Sequence, residues 1–335
     1  MTTSYPVYLL NRLGQFVLVV FIGINISFFV THSTPIDPVE QTISAATSFG
    51  STSPEAIAMM RQSLRELYGL EGGLFDQYVV FLKRVALADF GPSLSAFPTP
   101  VSVLIWRAIP WTVGLLLVST VITWMLGNLL GGLAGYYRDS RALRALGIVA
   151  MGFHPIPYYI VAFVLLIVFG YLWPILPISG GSEMNLPQRL DLAFVGSVMQ
   201  HSVLPALSLA LVGLGGWFLG MRSLVSNIVT EDYVVYAELG GVGRRRILFS
   251  YVMRNALVPQ VTGLAMSLGA IFNGAIITEQ VFGYPGIGRL LIDAVHAGDY
   301  SLVLGVTSVS IVAVSAAVLL IDLLYPLLDP RVKAS

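Results

Sequence analysis

Six apolar stretches of about 20 residues are the feature that most limits what this chain can fold into. They cover residues 13–31, 111–133, 145–172, 202–221, 259–277 and 303–321. A helix needs about 20 mainly apolar residues to cross the hydrocarbon core of a membrane. Six buried helices of a water-soluble protein are disfavoured, because a chain of 335 residues with only 11% charged residues has too little polar sequence to cover them. The sequence therefore predicts an all-α integral membrane protein with about six transmembrane helices.

The first apolar stretch follows a short polar start with one basic residue, Arg12, as a secretory signal would. The apolar core of a signal runs to about 15 residues and ends at a small-residue cleavage site. This stretch is longer and contains no such site, so we expect a retained membrane helix.

Basic residues in the short loops predict the orientation of the chain, because cytoplasmic loops are rich in Lys and Arg. One side holds Arg12, Arg138, Arg141, Arg144, Arg222, Arg244, Arg245, Arg246, Arg254, Arg331 and Lys333. The short loops of the other side hold only Arg189 and Arg289. Both termini are therefore expected in the cytoplasm.

The predicted organisation has three parts: a tail with the first span (1–31), an external insert (32–110) and a five-span core (111–335). The core includes a cytoplasmic loop at 230–259. Apolar residues at helical spacing predict amphipathic helices at 54–67, with Ser53 as N-cap, and at 75–87.

Motif searches give no support for catalysis. The chain has no phosphate-binding G-x-x-x-x-G-K-[ST], no G-x-S-x-G and no H-E-x-x-H motif. Its four histidines are scattered, it has no cysteine, and its formal charge is zero, so we expect no metal site and no nucleic-acid partner.

Three places carry residues of functional interest, and the first is the sequence GFHPIP at 152–157. An ionisable group inside a span is costly and often functional, so His154 with Pro155 and Pro157 is a candidate for the translocation path. The alternative is that a neutral His154 satisfies a backbone carbonyl that the prolines leave free.

The second place is a glycine-rich turn after the fifth apolar stretch, which we interpret as a candidate external gate or, equally, as an ordinary external turn. Its residues of interest are Glu279, Phe282, Tyr284, Pro285, Gly286 and Gly288.

The third place is the loop at 230–259. Thr230, Glu231 and Asp232 favour a helix start. Ala237 and Gly241, four residues apart, then predict a helical face without bulky side chains, which would fit a groove. Arg244, Arg245 and Arg246 could anchor that contact or bind lipid phosphates; the alternative is a solvated positive loop.

The loop at 233–259, with Gly241 and Pro259, resembles the EAA loop of binding-protein-dependent ABC importer permeases. It is closest to the B-subunit version of the oligopeptide/dipeptide/nickel family. The resemblance extends over nearly the whole chain, through LLNRL (9–13), IDP (36–38), LYGL (67–70), DFG (89–91), TEQVFGYPGIGRLL (278–291), DY (299–300), DLLY (322–325) and LDPR (328–331).

This resemblance implies a type I ABC importer permease fold in a bacterial or archaeal inner membrane. It implies a homologous second permease, two cytoplasmic ATPases that hold ATP and Mg, and an external solute-binding protein. No cofactor is expected in this chain. The ATPase-docking residues would be Tyr233, Tyr236, Ala237, Glu238, Gly240, Gly241, Arg244, Arg245 and Arg246.

One departure from the family pattern is that Gly240 stands where a basic residue often precedes the loop glycine. The resemblance implies import of di- or oligopeptides; oligosaccharides, nickel chelates or opine-like solutes are the alternatives. An ion-coupled secondary carrier is the rival from another class, and it would show buried titratable groups and inverted repeats, neither of which is clear in this sequence.

Overall fold

Helices form the protein throughout the part that the computed structural model describes, namely residues 5–33, 38–47, 53–187, 189, 191–269 and 275–328. The predicted mainly helical fold is confirmed, and this part contains no strand beyond one isolated bridge between Pro92 and Pro100. The helices are α1 (Tyr5–His32), α2 (Pro38–Thr47), α3 (Pro54–Tyr68), α4 (Leu74–Leu87), α5 (Val101–Tyr136), α6 (Arg141–Phe153), α7 (Tyr158–Leu166), α8 (Leu192–Ile228), α9 (Asp232–Leu239), α10 (Arg244–Arg246), α11 (Arg254–Gly269), α12 (Ile276–Val281), α13 (Ile287–His296) and α14 (Tyr300–Leu328). Wider π-helical turns follow α7 at Ile167–Leu172 and α10 at Ile247–Met253.

Among the described residues, four helices are long and apolar enough to cross a membrane: α1, α5, α8 and α14. The α6–α7 pair makes a fifth candidate if it counts as one span. The expected span at 259–277 coincides only partly with α11, which ends at Gly269. Residues 270–274 lie outside the described part, so the count of six spans stays a prediction.

The predicted span at 145–172 is wrong in one respect, because α6 and α7 meet at an angle of 102°. The helix stops at Phe153, directly before the sequence His154-Pro155-Ile156-Pro157. Proline has no N–H for the helix ladder and disfavours helical geometry in the residue before it. Two prolines two residues apart therefore break the span.

One compact unit comprises residues 4–112 and 285–319. Its core includes Phe90, Val101, Ile105, Leu302 and Val306. The two helices predicted in the insert are confirmed as α3 and α4, and the Ser53 hydroxyl accepts a hydrogen bond from the Ala56 N–H at 3.3 Å. The external position of this insert stays a prediction, as do the three-part boundaries.

Asp299 fastens the loop before α5 to the start of α14 in this unit. This carboxylate has no exposed surface. It accepts hydrogen bonds from the Ser93 hydroxyl at 2.5 Å and from the Ser95 N–H and hydroxyl, each at 2.9 Å. It also caps α14 by accepting from the Leu302 N–H at 3.0 Å. Four donors thus occupy its oxygens.

The other unit contains residues 113–284 and 320–335, and within its described part α8 contacts α6, α7 and α11. Gly127, Gly131 and Gly135 lie on one face of α5, at intervals of four residues, against α8. A Cβ on Gly131 would overlap the Phe218 carbonyl oxygen, and one on Gly135 would lie 2.8 Å from the Arg222 carbonyl oxygen. Only glycine allows the two backbones to come this close.

Candidate functional site

The loop between α8 and α11 contains a short, well-terminated helix. α9 begins at Asp232, as the acidic residues before it predict, with Glu231 at the N-cap position. At its other end the Val242 N–H donates to the Ala237 carbonyl at 3.1 Å and the Gly241 N–H donates to the Glu238 carbonyl at 3.0 Å. This pair of bonds is the Schellman arrangement that ends many helices.

Gly241 supplies the backbone angle that this ending requires. Its φ is +76°, in the left-handed region, and an added Cβ would meet no atom within 4 Å. The glycine is therefore needed for its conformation and not for space within this chain. The prediction that Ala237 and Gly241 share a helical face is wrong, because the helix ends at Leu239 before Gly241 is reached.

The side of α9 that faces inward is the side with small residues. Val234 is completely buried and Ala237 is half-buried, both against a cluster of apolar side chains. That cluster comprises Met221, Val225, Val234, Ile247, Leu248, Val252, Met253 and Ala256. The expected small, groove-fitting outer face is thus also wrong: this side of the helix contacts its own chain.

The exposed side of α9 is large and partly aromatic. Tyr236 is 71% exposed and Leu239 is 79% exposed, and Glu238 and Gly240 are exposed as well. Exposed large apolar groups next to charged ones are typical of a surface that a partner covers. We name this surface, formed by Tyr236, Glu238, Leu239 and Gly240, the outer face of α9.

Tyr233 connects α9 to α11. Its hydroxyl accepts a hydrogen bond from the Asn255 side-chain amide at 2.8 Å, and the same amide donates to the Tyr251 carbonyl at 2.8 Å. Tyr233 is also 40% exposed. The residue therefore lies at the edge of the outer face and holds α9 against the start of α11.

The three arginines Arg244, Arg245 and Arg246 form the one-turn helix α10, and all are exposed. Together with Phe249 they line a shallow depression next to Gly243. A second depression nearby is lined by both basic and acidic side chains, including Arg138, Asp139, Glu238 and Arg244. The Arg138 guanidinium also donates to the Ser226 carbonyl at 2.7 Å, which links the α5–α6 turn to the end of α8.

The segment at α12, by contrast, is enclosed. Glu279 has no exposed surface, and Phe282 and Tyr284 are 1% and 2% exposed. The Phe282 carbonyl accepts from the Gly180 N–H at 2.9 Å, and the Tyr284 and Ser202 hydroxyls are hydrogen-bonded at 2.9 Å. Burial raises the pKa of Tyr284. This segment is therefore packed in the protein interior, unlike an ordinary solvated turn.

The remaining residues of the predicted gate belong to the unit of residues 4–112 and 285–319. Gly286 precedes α13 in an extended conformation, and Gly286 and Gly288 are buried, while Pro285 is partly exposed. The Ile287 N–H donates to the Thr112 hydroxyl at 2.8 Å.

His154 lies at the break between α6 and α7, where its side chain packs on two glycines of α8. A Cβ added to Gly215 would be 2.7 Å from the His154 Cβ, and one added to Gly216 would be 3.3 Å from Cε1. The ring Nδ1 is 3.5 Å from the Val212 carbonyl oxygen. His154 thus approaches a carbonyl of α8, and not one that the prolines leave free. Pro155 and Pro157 are exposed beside it.

Comparison with known proteins decides the family. Residues 127–334 match the model of the binding-protein-dependent transport system inner membrane component. This chain belongs to that family.

Similar proteins cover nearly the full length of this permease. The dipeptide transport system permease protein DppB of Escherichia coli K12 is 30% identical over 348 residues, with 97% of this chain and 98% of the relative covered. The oligopeptide transport system permease protein AppB of Bacillus subtilis is 28% identical over 319 residues, covering 94% and 95%. OppB of Haemophilus influenzae is 27% identical over 332 residues, covering 97% and 99%.

The permease is therefore the inner-membrane component of a transport system that includes a binding protein, and ATP hydrolysis belongs to partner subunits. Its described residues contain no group of three or more His, Asp or Glu side chains that could hold a metal ion.

Sequence reasoning missed two residues of the loop. Leu239 follows Tyr233 and Tyr236 at intervals of three, so its place on the outer face could have been found from helical spacing. Asn255 gave no such signal, because its bond to Tyr233 spans 22 residues of sequence.

Proposed function

We propose that this permease is the channel-forming subunit of an ATP-driven importer of di- or oligopeptides. The observation that carries the proposal is the similarity over more than nine-tenths of the chain to permeases named for dipeptide and oligopeptide transport. Peptide is favoured over oligosaccharide, nickel chelate or opine-like solutes for the same reason.

The proposed assembly contains a homologous second permease, two cytoplasmic ATPases and an external solute-binding protein. Both termini and the loop at 230–259 lie in the cytoplasm, and residues 32–110 lie outside. The distribution of Arg and Lys over the short loops supports this orientation.

The outer face of α9 is the surface that docks in an ATPase, with Arg244, Arg245 and Arg246 next to it. Two features support this role. Tyr236 and Leu239 are large, exposed and next to charged side chains, as the anchors of a protein interface usually are. The opposite side of α9 packs in a buried apolar cluster with residues of α8 and α11, so a movement of α9 would be transmitted to these two helices.

Movement would pass from α9 to α11 through Tyr233 and Asn255, and to α8 through Val234 and the cluster around Met221 and Val225. Closure of the ATPase pair on ATP then rocks these helices and opens the translocation path outward, which is a rigid-body type of transition. His154, with Pro155 and Pro157, is the candidate for the translocation path. The buried segment at α12 is the candidate for its external gate.

The experiment is to purify the tagged chain with the proteins encoded beside it, reconstitute the assembly in liposomes, and measure ATP hydrolysis and uptake of labelled di- and oligopeptides. We expect two ATPases and a second permease to co-purify, and the peptide-loaded binding protein to raise hydrolysis.

Other outcomes are equally informative. If hydrolysis is stimulated by a binding protein loaded with a sugar or a nickel chelate, and not with peptides, the proposed substrate is wrong and the proposed mechanism still holds. Uptake by the chain alone down an ion gradient would overturn the importer and favour a secondary carrier.

A further inference from the structure

A small cavity in the unit of residues 4–112 and 285–319 lies between the ends of α1 and α3, the middle of α4 and the start of α14. Its volume is about 50 Å³, where one water needs roughly 10–15 Å³. The space therefore holds a small group of atoms and not a peptide. Residues that line it include Phe28, Tyr68, Phe81, Arg84, Phe90 and Leu304.

Tyr68 brings an unused hydrogen-bonding group to this cavity. The residue is 8% exposed, and its hydroxyl oxygen is buried without a hydrogen-bond partner among the described residues. Buried polar groups are nearly always bonded, so an unpartnered hydroxyl in a cavity points to a ligand or ordered water. Burial, helped by the negative charge of Asp299, raises the pKa of Tyr68 to about 12, so the hydroxyl keeps its proton and can donate it.

The negative charge of Asp299 acts on Tyr68, but the hydrogen bonds that Asp299 accepts come from other donors. Ser93, Ser95 and Leu302 bond to it, as described above. The Tyr68 hydroxyl is therefore not needed to fasten the loop before α5, and it stays without a partner among the described residues.

The cavity wall has the character of a site for an oxygen acceptor on an apolar chain. It is mainly apolar, and its polar members with donor groups are His32, Tyr68, Gln77, Arg84, Tyr300 and Ser301. The Arg84 guanidinium also donates to the Leu67 carbonyl at 2.7 Å. Among the described residues, no Asp or Glu lines it. An oxygen acceptor would therefore meet donors, and the negative charge of Asp299, which acts on Tyr68, favours a neutral carbonyl oxygen over a carboxylate.

A source of such chains lies beside the cavity. α1 is a candidate membrane span, and Phe29 and Val30, adjacent to the cavity residue Phe28, are 51% and 63% exposed. Acyl chains of the membrane cover that exposed surface in a spanning helix.

We propose that this cavity binds the oxygen-bearing end of an acyl chain, with the Tyr68 hydroxyl donating to it. The ligand is either the ester carbonyl of a phospholipid or the carboxylate of a free fatty acid. Such a ligand would join α3 and α4 to α1 and α14. The proposal is independent of the transported solute and of ATPase docking.

The test uses the full chain in nanodiscs and two photoactivatable probes, a phosphatidylglycerol with a diazirine in its acyl chain and a diazirine-bearing oleate. Crosslinked peptides are located by mass spectrometry. We expect one probe to label residues 77–94 or 300–304. Tyr68→Phe, which removes only the hydroxyl, should lower that labelling about two- to tenfold, the effect of one hydrogen bond.

Tyr78→Phe is the matched control, because the Tyr78 hydroxyl bonds to Asn25 and does not line the cavity; its labelling should equal that of the wild type. A second variant, Leu94→Phe, fills part of the cavity and should also lower labelling while the protein stays folded. Labelling by the phospholipid alone or by oleate alone identifies the source. If neither probe labels these residues, or if Tyr68→Phe labels as strongly as Tyr78→Phe, the proposal is wrong and the cavity contains water.

Discussion

Two short helices of this permease, α9 and α12, have opposite surroundings. α9 follows α8 and exposes Tyr236 and Leu239, whereas α12 follows α11 and buries Glu279 and Phe282. Both end close to a glycine with positive φ, Gly241 at +76° and Gly283 at +55°. The same sequence signature, a short helix ended by glycine, thus forms an exposed surface in one place and part of a packed interior in the other.

The difference gives matched pairs of residues with the same chemistry and opposite burial. Substitutions in α12 should act on stability, and those in the outer face of α9 should act on coupling to the ATPases.

Phe282→Ala should have the largest effect. Phe282 is 1% exposed in a cluster with Val161, Ala162, Leu165 and Leu204. Truncation of a buried phenylalanine costs about 3–5 kcal/mol through lost contacts and the cavity that remains. The free energy of unfolding, measured by SDS titration of the purified protein, should fall by this amount. Phe249→Ala, at a residue that is 44% exposed, should cost much less, and equal losses would contradict the assigned burial.

Glu279→Ala should cost somewhat less, about 2–4 kcal/mol. A carboxyl group with no exposed surface is bonded within the protein, and its removal leaves a cavity and buried polar atoms without a partner. The same titration measures the loss, and Glu279→Gln should recover part of it. The exposed Glu238→Ala should stay within about 0.5 kcal/mol of the wild type. A neutral Glu279→Ala would show that this segment is not part of the packed interior.

Tyr236→Ala should leave stability unchanged and lower binding-protein-stimulated ATP hydrolysis about 30-fold, since a tyrosine anchor of an interface contributes about 2 kcal/mol. The measurement is hydrolysis by the reconstituted assembly, with binding of the ATPases followed by co-purification. Trp106→Ala, at an equally exposed aromatic residue (71%) of α5 and outside the loop at 230–259, is the control. If the binding protein stimulates hydrolysis by Tyr236→Ala as strongly as by the wild type, the outer face of α9 is not the docking surface.

Gly241→Ala should lower stability less than the two substitutions in the buried segment, by about 1–2 kcal/mol, because a residue with a Cβ is disfavoured at φ +76°. Gly243→Ala is a close control: its φ is −62° and its surroundings are equally open, so it should be neutral. The SDS titration distinguishes the two. Equal stability of both variants would mean that the Schellman ending of α9 is not maintained in the membrane.

The sequence predicted those parts of this structure that depend on short-range signals. The long apolar helices follow from the length of apolar runs, and the starts of α3 and α9 follow from Ser53 and the acidic residues 231–232. The stop at His154 also had a local cause, in two prolines, although the size of the bend did not follow from them.

The direction in which each helix faces could not be predicted in the same way. Ala237 was expected on an outer face because it is small, but the buried cluster around Val234 and Ile247 fixes the rotation of α9 and turns Ala237 inward. The Tyr233–Asn255 bond and the burial of Glu279 likewise depend on contacts between distant parts of the chain. Such contacts leave no periodic trace in a single sequence.

The close approach of α5 to α8 at Gly127, Gly131 and Gly135 has a mechanical consequence. Side chains between two helices can change rotamer and absorb a small displacement, but backbone atoms in direct contact cannot. The two helices therefore cannot adjust to each other here through side-chain rotamers. We expect a displacement of α8 at residues 214–225 to move residues 127–135 of α5 with it.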